Sequence, residues 1–507
     1  MNSLKRIKTA LISVYCKEGL EEIVKELNKH DIKIFSTGGS KIFIEELGFK
    51  VYSVEEITDY PSILGGRVKT LHPKIFGGIL AIRNDKTHLS QLEEYEIPEI
   101  DLVIVDLYPF EATVASGSPN SEIIEKIDIG GVSLIRAAAK NYNDVAIISS
   151  KEQYPFLLKI LKENRGNTTF EERFTLAISA FALTSYYDSS IFNWFNDSDY
   201  PAYRLSINKM KPLRYGENPH QKGTFYGDFD KYFEHLHGKE LSYNNLLDLE
   251  AAISLISEFE ETTIAILKHT NACGVASHKT LVEAWKGALS CDSLSAFGGI
   301  VISNQKIDLE TATEIDKIFI EVLIAPDYEN DALTILKQKK NRIILIQRCN
   351  TLPVNNVRTL LNGVLVQDRD SKIETFEDLK VVTQTAPTSE EIEDMIFANK
   401  IVKNSKSNAI VLVKNKKLIG SGTGLTSRVD ALKQAISKAH IFNFDTKGAV
   451  MASDAFFPFV DCAEIAHKEG ISAIIQPGGS IRDNETIEFC NNNNISMVFT
   501  GIRHFKH

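Results

Sequence analysis

The stretch DLVIVDLYPF, Asp101 to Phe110, decides the reading of the fold. From Leu102 to Val105 it is apolar without alternation, so a strand here needs cover on both faces. Such strands belong to parallel sheets flanked by helices. The run then ends in Tyr108, which carries a usable hydroxyl. Strand ends of this kind are where open α/β sheets keep their chemistry.

The same pattern spreads outward on both sides. TALISVY (Thr9–Tyr15), DIKIFSTGGS (Asp31–Ser40) and DVAIISS (Asp144–Ser150) read as further strands. Between the first two, Leu20, Ile23, Val24 and Leu27 fall on one helical face. A mostly helical stretch follows, from about Lys151 to Phe195. Its FTLAISAFALTSYY segment (Phe174–Tyr187) predicts a buried helix, too short and too rich in Ser and Thr to span a bilayer. The polar segment from Asn196 to Gln221 carries Pro201, Pro212 and Pro219 and predicts a domain boundary, giving domains 1–200 and 201–507.

Beyond the boundary the chain returns to α/β patterning, and two blocks share an outline. TIAILKH, TLVEAWKGALS and SAFGGIVIS make one; NAIVLVKNKKLIGSGTG, RVDALKQAISKA and SDAFFPF make the other. Each reads strand, turn, amphipathic helix, turn, which predicts duplicated subdomains rather than a periodic repeat.

The totals narrow the function classes. A net charge of -10 disfavours nucleic acid as the partner, while local basic groups can still hold a small anion. The six cysteines form no C-x-x-C pair, which argues against zinc ribbons and disulfide frameworks and fits a reducing compartment. No secretory signal is read at Met1–Leu20, so a cytoplasmic protein is expected.

Several motifs carry chemistry, each beside a plainer reading. FSTGGSK (Phe35–Lys41) joins a glycine turn to a helix start, an anion site or only a tight turn. GGRVKTLHPKIFGGI (Gly65–Ile79) crowds Arg67, Lys69, Thr70, His72 and Lys74 between two glycine pairs, which suits a phosphate or an oxyanion better than a solvated face. IDIGGVSLIRAAAKN sets Asp128 and Gly130–Gly131 before a helix with Arg136 and Lys140 four apart. LRYGENPHQKG and LSYNNLLDLEAA are polar loops or a pocket lining. In ILKHTNACG, Lys268 and His269 stand where an apolar strand ends, and a buried lysine there needs a partner. GSGTGLTSR lacks the third glycine of a dinucleotide fingerprint, which leaves a nicotinamide enzyme as an alternative. The zinc-deaminase signatures H-x-E and P-C-x-x-C are absent. SDAFFPFVD combines aromatic walls with acids, as a flat heteroaromatic ligand or a buried turn requires.

Taken in order, STGGS, GGRVKTLHPKIFGG, DLYPF, DIGG with RAAAKN, LRYGENPHQ, SYNNLLDLEAA, LKHTNACG, SAFGG, SDAFFPF and the closing RHF resemble the bifunctional purine-synthesis family that joins AICAR transformylase to IMP cyclohydrolase. The resemblance spans essentially the whole chain. It implies a methylglyoxal-synthase-like parallel-sheet domain followed by a transformylase domain of two cytidine-deaminase-like α/β/α subdomains without zinc. It further implies formyl transfer from 10-formyltetrahydrofolate to AICAR and closure of the product to IMP with loss of water. An intertwined homodimer, with the transformylase site at the subunit interface, is implied as well.

Residue by residue, the resemblance implies Lys268 and His269 as the proton-moving pair of the transformylase. Arg214, Tyr215, His220, Gly298, Asn408, Arg503 and Phe505 would bind AICAR, and Arg428, Phe459 and Asp461 the folate. Lys69, Tyr108, Asp128 and Lys140 would be the catalytic group of the cyclohydrolase. Ser13, Lys17, Ser36, Thr37, Gly38, Gly39, Arg67, Thr70, Gly130 and Gly131 would form its nucleotide-binding turns. No metal is expected. Tyr15, Cys16, Cys462 and Glu321 depart from the residues many members carry. A nucleotide-sensing protein without turnover is the alternative of a different class.

Overall fold

A computed structural model describes residues 4–196 and 200–507. The chain falls into two compact units, Met1–Asn208 and Lys209–His507. Residues 197–199 of the proline-containing segment lie outside the described residues.

The first unit is built on strands β1 (Thr9–Ser13), β2 (Lys33–Ser36), β3 (Tyr52–Ser53), β4 (Leu102–Val105) and β5 (Ala146–Ile148), all parallel, in the order β3-β2-β1-β4-β5. All four residues of β4 are buried, as its unalternating run requires. Helix α1 (Leu20–Lys29) turns Leu20, Ile23, Val24 and Leu27 into the core. α2 (Gly38–Glu46), α3 (Pro73–Leu80), α4 (Gly130–Lys140) and α5 (Phe170–Phe195) complete the main cover. The strand order reverses between β1 and β4, so the carboxyl ends of these strands open the crevice where a ligand can enter.

Helix α5 departs from the expectation of a buried helix. Only one stripe, including Arg173, Leu176, Ala180 and Tyr187, is buried. Phe174, Ile178 and Phe181 lie exposed on another face. Apolar content alone did not separate a helix buried all round from one with two different apolar stripes.

The second unit holds two six-stranded sheets. The first contains β6 (Phe233–His237), β7 (Thr263–Lys268), β8 (Asn271–Ser277), β9 (Ile300–Ser303), β10 (Val322–Ala325) and β11 (Ile343–Gln347), in the order β6-β11-β10-β9-β7-β8. A separate hairpin follows, β12 (Asn355–Leu360) with β13 (Gly363–Asp368). The second sheet contains β14 (Lys380–Val381), β15 (Ile410–Val413), β16 (Leu418–Gly422), β17 (Val450–Ser453), β18 (Ala473–Gln476) and β19 (Ser496–Phe499), in the order β14-β19-β18-β17-β15-β16. Strand order and directions match between the sheets. Each has two parallel central pairs, an antiparallel first strand at one edge, and at the other edge an antiparallel hairpin of its second and third strands. The outline shared by the two sequence blocks is therefore a duplicated topology.

Helices α6 (Tyr243–Ile256) and α8 (Ser389–Lys403) contribute to one core with inner residues of both sheets, such as Leu267, Ile302, Val411 and Val450. α7 (Leu281–Cys291) covers the outer face of the first sheet, while α9 (Arg428–Ile441) and α10 (Asp461–Lys468) cover that of the second. Alternation along β7 sends Ile264 and Ile266 to the outer core and Ala265 and Leu267 to the inner one.

Candidate functional site

In the first unit three turns meet the carboxyl ends of β1, β2 and β4. After β1, Lys17 Nζ donates to the carbonyl of Val14 and, at 3.1 Å, to Ser40 Oγ. Burial lowers its pKa, so the ammonium is held at some cost in a partly dry place. The amides of Tyr15 and Cys16 donate to the Asp106 carboxylate, which clamps the turn to the end of β4. Asp106 and Ser40 were not singled out in the sequence. Each acts through backbone atoms of a turn, which leaves no mark in residue patterning. Tyr15 packs edge-on against Tyr108 with ring centroids 5.7 Å apart, and Lys126 lies within 6 Å of both rings.

After β2, Ser13 Oγ and Thr37 Oγ1 are 3.0 Å apart, while the buried Ser36 hydroxyl donates to the Ile12 carbonyl. Ser36 therefore ties strand to strand, and its hydroxyl is already engaged. Gly38 opens α2 at φ 42. A side chain there would meet Lys69 Nζ at 3.4 Å, and one on Gly66 would strike Lys69 Cε at 2.6 Å, so the Lys69 ammonium lies over the glycine turn. The second glycine pair of that motif has another task. A Cβ on Gly78 would sit 2.2 Å from the Pro98 carbonyl, so Gly78 lets α3 pack closely. His72 caps α3 by accepting from the Lys74 amide.

After β4, Asp128 is buried, and its Oδ1 accepts the Gly131 amide at 2.6 Å. Burial raises its pKa although backbone amides pull it down, and a carboxyl of that kind can exchange a proton nearer neutrality. Burial, with Asp128 nearby, also raises the pKa of Tyr108 and keeps its phenol neutral. The Asp128 amide donates to Tyr187 Oη, which donates in turn to the Lys126 carbonyl, so α5 braces the turn. Thr70 Oγ1 would lie 3.3 Å from a side chain on Gly130. Arg67 is exposed and paired with Glu125. Lys140 ends α4, roughly 15 Å along the helix from Gly130 at 1.5 Å per residue, and among the described residues its side chain makes no hydrogen bond or ion pair with this group.

In the second unit β7 does not simply stop. It turns directly into β8 through His269 and Thr270, both with positive φ (52 and 64). Positive φ at both central residues marks a type I′ hairpin, which usually takes Asn-Gly. His269 is thus presented at a hairpin tip, exposed, with Lys268 as the last strand residue. Lys268 Nζ donates to the Phe297 carbonyl at 2.8 Å, in the turn where Gly298 has φ 72. Arg214 Nη2 donates to Tyr215 Oη at 2.9 Å, and the Tyr215 carbonyl accepts the Tyr243 amide at the start of α6. His220 is exposed beside them in sequence.

A second cluster forms at the ends of β15 and β17. Arg428, the first residue of α9, donates to Ser453 Oγ (3.0 Å), Asn408 Oδ1 (2.9 Å) and Asp454 Oδ1 (2.8 Å). Asn408 and Arg428 are thus direct partners, and Ser453 and Asp454 join them. The His504 amide donates to the Asp454 carbonyl at 3.0 Å and brings in Arg503, whose guanidinium lies 4.3 Å from the Phe505 ring. Phe459 is exposed with the Arg482 guanidinium 5.0 Å away, and Asp461 begins α10. Cys462 is wholly buried in the core, and burial pushes its thiol up to about 12. Glu321 pairs with Lys239 at 2.8 Å. Among the described residues no hydrogen bond or ion pair joins the Lys268–His269 turn to the Arg428 cluster.

Comparison with known proteins gives a consistent set of relatives. A family profile described as AICARFT/IMPCHase bienzyme matches residues 138–438, and one described as MGS-like domain matches residues 19–133. The bifunctional purine biosynthesis protein PurH of Bacteroides thetaiotaomicron is 63% identical over 507 residues, covering 100% of both chains. PurH of Persephonella marina is 48% identical over 516 residues, with 99% of this chain and 100% of the relative covered. PurH of Caldicellulosiruptor saccharolyticus is also 48% identical, with the same shares covered.

Proposed function

Since the chain belongs to the AICARFT/IMPCHase bienzyme family and carries out the last two steps of IMP synthesis, formyl transfer to AICAR and then ring closure, we propose how its residues divide that work. Ring closure falls to the first unit and formyl transfer to the second.

In the transformylase reaction the AICAR amine attacks the formyl carbon of 10-formyltetrahydrofolate. A new N–C bond forms and the bond to the folate nitrogen breaks. One proton leaves the amine and one must reach the departing nitrogen. His269, exposed at the hairpin tip, takes the proton, and general acid–base help of this kind is worth about 10²–10⁴-fold. The Lys268 ammonium stabilises the oxygen of the tetrahedral intermediate. Arg214, Tyr215, His220, Gly298, Asn408, Arg503 and Phe505 bind AICAR. The Phe459 ring, with Arg428 and Asp461, receives the flat folate. The hairpin tip carrying His269 is the observation that carries this reading.

In ring closure the amide nitrogen attacks the formyl carbon of the same molecule and water departs. Orientation supplies much of the rate. Lys17, Thr37, Gly38, Gly39, Thr70, Gly130 and Gly131 hold the nucleotide, with Ser13 and Arg67 beside them. Ser36 serves through its position in the turn. Asp128 moves the proton, and Lys69 and Tyr108 stabilise the developing oxyanion. Lys140 is carried by the resemblance alone.

The active form proposed is a homodimer. Every residue of the β12–β13 hairpin is exposed, including Val357, Leu360, Val364 and Leu365. A lone two-stranded ribbon is marginal in water, and its apolar side chains call for a partner surface. No helix among the described residues is long and apolar enough to cross a membrane. Cytoplasmic residence is proposed from the free cysteines. Among the described residues no structural feature favours a sensor without turnover.

The test is to mix the protein with AICAR and 10-formyltetrahydrofolate and identify products by mass spectrometry, then divide the steps. Lys268→Ala should stop formyl transfer yet still convert supplied formyl-AICAR to IMP. Lys69→Ala should do the reverse. Either change stopping both steps in a folded protein overturns the assignment.

A further inference from the structure

The two halves of the second unit share a device that only one half couples to chemistry. In the first half, α6 begins after the cap Ser242, and its sixth residue is Asp248. Asp248 Oδ1 accepts the Thr270 amide at 2.6 Å, across a separation of 22 residues. In the second half, α8 begins after the cap Thr388, and its sixth residue is Asp394. Asp394 accepts the Asn415 amide at 2.7 Å and the Lys416 amide at 2.6 Å, the latter again across 22 residues. Both turns join the edge hairpin of their sheet, β7 to β8 and β15 to β16, and both central residues have positive φ: His269 and Thr270 in one, Asn415 and Lys416 in the other (56 and 50).

None of these four residues is glycine. Thr270 is β-branched, and for such a residue the left-handed region is especially unfavourable. Strain of this kind persists only where surrounding structure over-determines it. The helix carboxylate does so, because it accepts an amide that a relaxed turn would aim elsewhere. That the twin turn is held by the same atom at the same register shows the anchor to be part of the scaffold. The first copy differs in placing a histidine at the tip.

We propose that Asp248 is a positioning residue for formyl transfer, holding the left-handed turn that presents His269 to the reacting amine. This rests on the assignment of His269 as the proton-moving group. Asp248 acts through the backbone of Thr270, so its loss should lower kcat for formyl transfer by about 10²-fold, the effect of roughly an ångström of misplacement, with KM for AICAR little changed.

The experiment compares full-length variants in both half-reactions. Asp248→Ala should lose formyl transfer and keep closure of supplied formyl-AICAR. Asp248→Asn, which retains an acceptor oxygen, should recover most of kcat. Thr270→Gly added to Asp248→Ala should also recover part of it, because glycine needs no anchor to hold positive φ. Asp394→Ala removes the twin anchor and should lower the melting temperature as Asp248→Ala does while leaving kcat near wild type. The proposal is overturned if Asp248→Ala keeps wild-type kcat while His269→Ala loses it, or if Asp394→Ala costs as much kcat as Asp248→Ala. Wild-type transfer by His269→Ala would instead overturn the site reading beneath it.

Discussion

His504 sits between two residues assigned to the nucleotide, and its side chain is turned away from them into the protein. It is 2% exposed, with Nδ1 2.6 Å from Asp370 Oδ2 and Nε2 2.9 Å from Glu374 Oε1. Glu374 is buried too and accepts from Asn399 of α8 at 2.8 Å. Burial disfavours the charged ring, but the two carboxylates outweigh it and raise the pKa to about 9. The nearby charges are Lys372 on the same segment as the carboxylates, Lys403 of α8, whose Nζ donates to the Lys372 carbonyl, and Asp454, which Arg428 neutralises. A folded pKa above the unfolded value of about 6.5 stabilises the native state fully below that value. The contribution then declines as pH rises through about 9. Melting temperature should therefore fall between pH 7 and 9.5. Glu374→Gln removes one of the two charges, so the decline should begin at lower pH. KM for AICAR should rise over the same window through Arg503 and Phe505, while ring closure should not follow it. A flat melting profile in both proteins would remove the linkage.

Helix and strand packing explains the glycines that the sequence left ambiguous. Gly420 and Gly422, which resembled a dinucleotide fingerprint, lie within β16, where a Cβ would meet carbonyl oxygens of α9 at 2.2 and 1.9 Å. Gly274 of β8 meets the Ala288 carbonyl of α7 at 2.1 Å in the same way. These glycines let a helix lie directly on a strand, and no phosphate loop is formed. Gly274→Ala and Gly422→Ala should each destabilise by at least the roughly 1–3 kcal/mol typical of overpacking, read in denaturant melts. Gly39 has nothing within 4 Å of its missing Cβ. Gly39→Ala should melt as wild type and raise KM for formyl-AICAR, which separates a ligand-facing glycine from a packing one. The same contrast marks how far the sequence could be read. Period and apolar runs disclosed the parallel sheet, the α1 face and the duplicated outline, because each depends on local pattern. They could not separate packing glycines from binding ones, nor find the roles of Asp106 or Ser40. Those residues act on backbone atoms far away in sequence: Ser40 and Val14 are 26 apart, Asp106 and Tyr15 are 91.

At the scale of the whole molecule the question is what completes the transformylase site. The Lys268–His269 tip lies at the end of the first sheet, and the Arg428–Asn408–Asp454 cluster at the end of the second. Among the described residues no bond joins them, and in the homodimer proposed above a second copy would bring complementary halves together. The β12–β13 hairpin is the surface suited to that contact. Leu365 is 56% exposed and Leu361 99% exposed on a ribbon that no sheet covers. The hairpin also runs into Asp370, the partner of His504, so its seating bears on the segment that carries Arg503. Leu365→Glu together with Val357→Lys should yield a monomer by sedimentation, with formyl transfer reduced at least about tenfold, equivalent to about 1.4 kcal/mol of lost transition-state stabilisation. Ring closure should persist, since its groups all lie in the first unit. Mixing two inactive proteins, His269→Ala and Arg428→Ala, gives the sharper reading. If each site draws its halves from two copies, subunit exchange restores up to a quarter of wild-type transfer, because half of the dimers are mixed and one of their two sites is intact. If each site is complete within one chain, the mixed dimers have no intact site and activity stays at the level of the separate variants.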